Sequence, residues 1–381
     1  MNDQKHSFFS NKKIIYIHKT ETGWGGAQQG VFNLIDNFRL EFGKTVFVCN
    51  HGLIFKKIKQ LNIKIHYLPI KSVWLFPVTL FALTFILFYE RPDLIHSNHR
   101  YPTFLCHLLR NVFKFKYEIV HTARNVFSNK ILPNNIGDSV VAITETVRKN
   151  LVQQYKLPME KVKVIHNGIE LKSIVENSDL NEPLINELKF SQKTVICSIG
   201  TLIKRKGHRY LLEALVQLPQ SVQSQVIVLI VGDGPLKQKL ETMVQNLNLT
   251  GMVKFLGFRE DIFPILKYCN FNVVTSNQEG HCRVLVEAYL LAKPSIAFGL
   301  DYAYETVRHD KTGLIVPLYD ANALAQAIQL YVEQPDLVKQ HGEAGRQFIA
   351  GRFSIKNMLD QYRLVYQELL NTNLKLSLKK R

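Results

Sequence analysis

Phe271 to Ala292, FNVVTSNQEGHCRVLVEAYLLA, changes character twice along its length. Phe271 to Thr275 is a short apolar run that reads as a buried strand, and Val284 to Ala292 has the apolar density and length of a helix turned toward a core. Glu279 therefore falls in a strand-to-helix loop, and Glu287 about one turn into the helix. Such a junction presents unpaired backbone N–H groups and the positive end of the helix dipole, which together attract a phosphate. A carboxylate beside a phosphate is repelled, so Glu279 and Glu287 are expected to point sideways and accept hydrogen bonds from vicinal hydroxyls. Sugars supply such hydroxyls, and one loop with these properties describes a site for a nucleotide sugar. The plainer reading, a solvated loop acid and an exposed helix acid, stays open on these two residues alone.

Outward from this stretch the same strand-loop-helix unit recurs. Apolar strands are expected over 13–18, 46–49, 64–68, 117–122, 139–144 and 162–165, and again over 194–200, 226–231, 253–257 and 295–298. Alternation of short apolar strands with helices, twice over, implies two doubly wound α/β domains. After the first strand, Gly23-Trp24-Gly25-Gly26-Ala27 precedes a helix with Val31, Leu34, Ile35 and Phe38 on one face. Backbone without Cβ approaches an anion closely there. Gln28 stands where a dinucleotide fingerprint needs its third glycine, so that fingerprint is incomplete. Lys204-Arg205-Lys206 beside Gly207 puts three cations at a second strand-to-helix junction, an electrostatic fit to a diphosphate.

The chain has 381 residues, enough for two domains with separate cores. Five dispersed cysteines without C-x-x-C spacing indicate neither a disulfide framework nor a zinc site, so a reducing cytoplasm is expected. The N-terminus lacks the apolar core of a signal peptide. The formal charge of +17 is uneven: residues 1–172 hold 24 Lys and Arg against 11 Asp and Glu, the remainder 24 against 20. This field favours an anionic partner, and the lack of a zinc finger, RNP-type strand or basic zipper points away from nucleic acid. Ser72 to Tyr89 carries no charge but is broken by Pro77 near its start, which leaves about a dozen residues of clean helix. A core or interfacial helix is expected ahead of a transmembrane anchor, and with the basic domain it suits a peripheral place on the inner face of an anionic membrane. No Asp-x-Asp pair occurs, so no metal is expected to hold the diphosphate.

The opening stretch resembles the Glu-x7-Glu motif of the family 4 glycosyltransferases, E-G-F-x-x-V-L-x-E-A. It matches at Glu279, Gly280, Val284, Leu285, Glu287 and Ala288, and departs at His281, Cys282 and Arg283. These departures bear on donor choice, and the Arg283 guanidinium suits a phosphate or a carboxylated sugar. The glycine loop is similar to the family's G-G-A-E, with Gln28 replacing the acid. Gly200-Thr201-Leu202-Ile203-Lys204-Arg205-Lys206-Gly207 resembles G-R-L-x-x-x-K-G, with Thr201 in place of the arginine and Arg205 as its candidate substitute. Gly232-Asp233-Gly234-Pro235 matches the family's G-D-G-P turn, and Phe258 and Arg259 stand where the family borders the base. His121-Thr122-Ala123-Arg124-Asn125 is similar to H-T-x-H-N, with Arg124 replacing the second histidine. Asn167-Gly168 resembles the family's N-G-I-D turn, where Asn-Gly supplies a positive φ.

The resemblance runs through nearly the whole chain and implies the GT-B fold, two Rossmann-like domains facing a central cleft. Residues 1–172 are then an acceptor-binding domain, 173–193 a linker, 194–354 a nucleotide-sugar-binding domain, and 355–381 a terminal helix packing back on the first domain with a basic tail. It implies a retaining, metal-independent transferase that moves a hexose or N-acetylhexosamine from a UDP- or GDP-sugar to an envelope glycolipid or polysaccharide intermediate. Glu279, Lys206, Arg205 and His121 are the expected catalytic residues. Gly25, Gly26, Gly200, Thr201, Gly232, Phe258, Arg259, Gly280, His281, Cys282, Arg283, Val284 and Glu287 are the expected donor-binding residues, and Arg124 and Gln28 the acceptor-binding ones. Two alternatives remain: a nucleotide-sugar 2-epimerase on the same fold, and a catalytically silent membrane-associated binding subunit.

Overall fold

The computed structural model describes residues 8–19, 26–50, 52–70, 73–126, 137–169, 193–279 and 282–378. Gly25, Gly280, His281 and all of the expected linker except Lys193 lie outside them. The chain divides into two compact units, one of residues 1–168 with 354–381 and one of residues 169–353.

The first unit contains β1 (Lys13–His18), α1 (Gly26–Phe38), β2 (Lys44–Cys49), α2 (Leu53–Lys59), β3 (Lys64–Tyr67), α3 (Phe76–Glu90), β4 (Leu94–Ser97), α4 (Arg100–Phe113), β5 (Glu118–Ala123), β6 (Ser139–Ala142), α5 (Glu145–Tyr155) and β7 (Val162–Val164). The strands form one seven-stranded sheet in the order β3-β2-β1-β4-β5-β6-β7, with parallel pairings throughout. The period of two is visible in β1. Ile14 and Tyr16 enter one core with Val31, Leu34 and Phe38 of α1, while Ile15 and Ile17 enter the opposite core with Leu83, Ile86 and Leu87 of α3.

Pro77 differs from expectation. It lies in the first turn of α3, where its missing N–H has no intrahelical partner to lose, so it starts the helix and does not break it. At the other end Glu90 is fully buried. Its carboxylate is met by Lys44 Nζ at 2.9 Å, Lys64 Nζ at 2.8 Å, His66 Nε2 at 2.8 Å and Lys13 Nζ at 3.7 Å. Lys13, Lys44 and Lys64 are the first residues of β1, β2 and β3, so one acid gathers the starts of three strands.

The second unit contains β8 (Thr194–Ile199), α6 (His208–Gln217), β9 (Val226–Val231), α7 (Lys237–Asn246), β10 (Val253–Gly257), α8 (Ile262–Tyr268), β11 (Phe271–Val274), α9 (Arg283–Leu290), β12 (Ser295–Phe298), α10 (Asp301–Thr306), β13 (Leu314–Val316), α11 (Ala321–Glu333) and α12 (Pro335–Ile349). Its six-stranded parallel sheet runs β10-β9-β8-β11-β12-β13. Val226, Val228 and Ile230 of β9 face one core, and Ile227, Leu229 and Val231 the other. Helices on both faces bury the strand completely, which explains its unbroken apolar run.

The chain then returns to the first unit through α13 (Ile355–Leu378). Gly168 does not supply the positive φ expected of an Asn-Gly turn. Its constraint is space, because a Cβ there would stand 2.5 Å from Ile355 Cα at the start of α13. Tyr362 and Tyr366 of α13 are buried on the sheet: Tyr366 OH lies 2.6 Å from His96 Nδ1, and Tyr362 OH 3.0 Å from Thr122 Oγ1.

Candidate active site

Strand order reverses between β8 and β11 in the second unit, and between β1 and β4 in the first. At such a switch point the loops leaving the carboxyl ends of neighbouring strands diverge and open a crevice for ligands. In the second unit those loops are Gly200–Gly207, after β8, and the chain from Thr275, after β11. They carry the cation cluster and Glu279 respectively.

Gly207 joins the two loops. Its φ is +67°, and a Cβ on it would stand 2.1 Å from the Thr275 carbonyl oxygen, so this contact requires glycine. Asn277 N–H donates to the Arg205 carbonyl at 2.8 Å, and Thr275 Oγ1 donates to the Lys206 carbonyl at 3.1 Å. On the far side, Leu202 N–H donates to the Asp233 carbonyl and Leu236 N–H to the Leu202 carbonyl. Gly232, with φ of +143°, presses on the Gly200 carbonyl, where a Cβ would come to 2.1 Å. The Gly200 loop is thus fixed from both neighbouring strands.

The result is an ion cluster around Glu279. Its side chain is 8% exposed, with Lys206 Nζ 2.5 Å from Oε1 and Arg205 Nη1 3.4 Å from Oε2. The Lys206 ammonium and the Glu279 carboxylate form an ion pair. Gly200 makes room for the lysine: a Cβ there would meet Lys206 Cδ at 3.3 Å. Two cations on one carboxylate leave a local positive charge. Tyr302, itself buried, donates its hydroxyl to the Ser276 carbonyl at 3.0 Å and holds the loop from below.

Glu287 is buried in α9 and is held by Arg283, one turn earlier, whose Nε and Nη2 lie 2.8 and 2.7 Å from Oε1. Arg283, expected to meet an anion from the donor, is thus already engaged by the second carboxylate of the motif. Cys282 is buried, and burial, followed by the Glu279 charge, pushes its thiol up to about 12, so it forms a neutral wall. Val284 is buried, Thr201 exposed, and Phe258 has 67% of its surface open. Arg259 makes a two-pronged ion pair with Asp261, at 2.8 Å on each oxygen. His208, buried after Gly207, is held down to about 4 by burial and by Lys206.

The first unit's switch point collects a different set. Arg124 is buried, with Nε donating to Asn98 Oδ1 at 3.0 Å and Nη1 to Asn167 Oδ1 at 2.8 Å. Its guanidinium lies against Gly30 of α1, where a Cβ would come to 2.7 Å of Nη1. His121 is fully buried, its Nδ1 2.9 Å from Thr103 Oγ1, and burial holds its imidazole down to about 3. Gln28 is buried on α1, and Gly26 begins that helix.

His18, Asn98 and His99 lie at the ends of β1 and β4, and sequence reading passed over them. The His18 and His99 rings are 4.9 Å apart, and burial keeps both imidazoles neutral. Both ring nitrogens of His18, Nε2 of His99, Nε2 of His121 and Nδ2 of Asn98 are buried without a hydrogen-bond partner among the described residues. Such groups cost about 1–3 kcal/mol each unless something pairs with them. The only sequence signal for them was a histidine closing an expected strand.

Residues 24–173 match the family described as Glycosyltransferase Family 4, and residues 182–348 match Glycosyl transferases group 1. The lipopolysaccharide core biosynthesis glycosyltransferase LpsE of Rhizobium meliloti is 29% identical over 44% of this chain and 48% of its own length. An uncharacterized glycosyltransferase of Methanocaldococcus jannaschii is 26% identical over 62% of this chain, and the match spans 59% of that protein. The N-acetyl-alpha-D-glucosaminyl L-malate synthase of Bacillus anthracis is 24% identical over 87% of this chain and 91% of its own. Among solved structures, Anabaena HepE in complex with UDP superposes with a TM-score of 0.81, at 21% identity, over 93% of this chain and 100% of HepE. Two matched families running in sequence through most of the chain, together with two parallel Rossmann-like sheets, make this protein a glycosyltransferase of family 4 with the GT-B fold.

Proposed function

We propose that the protein transfers a hexose or N-acetylhexosamine from a nucleoside diphosphate sugar to a lipid-linked or polysaccharide intermediate of the cell envelope, with retention of configuration and without a metal. The observation that carries this reading is the Lys206–Glu279–Arg205 cluster at the β8/β11 switch point, one loop away from Glu287. A diphosphate entering there meets two cations and the backbone N–H groups of a fixed loop. These stabilise the charge that builds on the departing nucleotide. Glu279, relieved of one cation by the diphosphate, accepts hydrogen bonds from the sugar, and Glu287, fixed by Arg283, accepts them from the ribose. Retention follows the family resemblance: attack comes from the face the nucleotide leaves, and the leaving phosphate takes the acceptor proton.

One HepE structure is in complex with UDP and another with UDP-glucose. Among the relatives, LpsE is a lipopolysaccharide core biosynthesis glycosyltransferase, and a Campylobacter jejuni protein is an N-acetylgalactosaminyltransferase acting on a diphospho-undecaprenol-linked glycan. Both support a UDP-sugar donor and an envelope acceptor here.

The test is a panel of UDP-, GDP- and ADP-sugars with the full chain and EDTA, with and without a lipid extract, scored for nucleotide release. The expected result is release that depends on one donor and on the extract, persists in EDTA, and falls by about a hundredfold or more in Glu279→Ala. Epimerised donor without an acceptor would replace transfer by epimerisation, and no turnover of any donor would overturn the reading.

A further inference from the structure

Helix α3 is apolar on both sides. Leu83, Ile86 and Leu87 enter the core, yet Val78, Phe81, Phe85 and Phe88 form a second stripe that faces solvent, with Trp74 exposed on the turn just before the helix. The spacing of three, four and three within α3 places Val78, Phe81, Phe85 and Phe88 on one face. Exposure is 94% for Trp74, 78% for Phe81 and 67% for Phe85, values unusual for aromatic side chains on a monomeric protein. The stripe continues onto α4, where the Phe113 ring lies 5.3 Å from Phe88 and Val112 is exposed.

Cations mark one end of this face. Both helices stop in left-handed caps occupied by exposed cations, Arg91 after α3 and Lys114 after α4. Lys116 is exposed two residues on, and Lys64 Nζ sits 4.1 Å above the Tyr89 ring. The nearest acid in sequence, Glu90, is buried beneath and already neutralised by lysines. No helix among the described residues is long and apolar enough to cross a membrane, and α3 itself has 15 residues, about 22 Å.

We propose that this face lies in the interface of an anionic lipid bilayer, with the α3 stripe among the acyl chains and Arg91, Lys114 and Lys116 on the headgroups. Charge complementarity decides the occupant. An apolar stripe edged by cations fits a surface that is apolar within and anionic at its rim. A second copy of the chain would bring the same cations, and the acids nearby among the described residues, Glu90, Asp93 and Glu118, already lie against Lys or Arg side chains of this chain. The inference deepens the lipid-linked acceptor reading by naming the surface on which that acceptor is met.

The test is co-sedimentation of the full chain with phosphatidylcholine vesicles and with vesicles containing phosphatidylglycerol. Binding is expected to be stronger on the anionic vesicles and to weaken with added salt. The double variant Phe81→Ser/Phe85→Ser is expected to lose at least about tenfold in partitioning to either vesicle. The variant Lys114→Glu/Lys116→Glu should lose the anionic preference, by about fivefold for each cation removed. All four side chains are exposed, and circular dichroism checks that the fold is kept. Equal sedimentation of wild type and Phe81→Ser/Phe85→Ser, or a wild type that dimerises through this face without binding vesicles, would overturn the proposal. UDP binding without vesicles should be unchanged in both variants, so failure here and failure of the transferase reading are read separately.

Discussion

Gly207→Ala tests whether the two loops of the second unit are joined as described. The added methyl group would stand 2.1 Å from the Thr275 carbonyl oxygen, so the loops must separate by about 1 Å to reach an ordinary contact. A φ of +67° costs an L-residue about 1–2 kcal/mol, and forcing a group into filled space costs about 1–3 kcal/mol more. The expected loss is about 2–5 kcal/mol in urea unfolding followed by far-UV circular dichroism. Lys206 precedes Gly207 and would move with it, so nucleotide affinity should fall too. Gly251→Ala is the control: a Cβ there meets nothing within 4 Å, and the change should stay within about 0.5 kcal/mol. A Gly207→Ala midpoint equal to that of Gly251→Ala would mean that the two loops are not packed together at Gly207.

Other expectations are equally direct. Glu90→Gln removes the charge that Lys13, Lys44, Lys64 and His66 surround, and should destabilise the first unit by about 2–4 kcal/mol, the partners being partly open to water. Acid should unfold the chain in two ranges. His99, His121 and His208 are held at about 4, 3 and 4 against 6.5 when unfolded, so the unfolded chain takes up protons first. Stability should fall from about pH 6.5 downward by up to about 1.4 kcal/mol per pH unit for each imidazole. Glu90, held at about 2 against 4.5, adds a further loss between those values, and pH-dependent urea titrations read both. Arg283→Ala strips the buried Glu287 of its partner and should raise KM for the donor more than it lowers kcat. Tyr302→Phe loses the bond to the Ser276 carbonyl and should cost about 0.5–1.5 kcal/mol, measured in the same urea assay.

Much of the fold was legible because parallel strands covered on both faces leave long apolar runs, as in Val226–Val231. The β11 loop and α9 were legible for the same reason, with a polar break between two apolar runs. What stayed hidden depends on distant partners. Glu90 looks like the solvent end of an apolar helix until three strand starts converge on it. Arg124 read as an acceptor-binding residue at a strand end, and its guanidinium is held by Asn98 and Asn167, far from it in sequence. His18 and His99 come together only because β4 pairs beside β1, a crossover no local pattern reveals. The two faces of α3 were likewise indistinguishable, since both are apolar and only the packing decides which is buried.

The measurement that bears most directly on the account is calorimetric titration of UDP into the full chain and into Lys206→Ala. The wild type is expected to bind, and Lys206→Ala to lose at least about tenfold in affinity, the ordinary effect of removing one charge-assisted contact to a diphosphate. Equal affinity in the two proteins would contradict the assignment of the β8/β11 switch point as the nucleotide site.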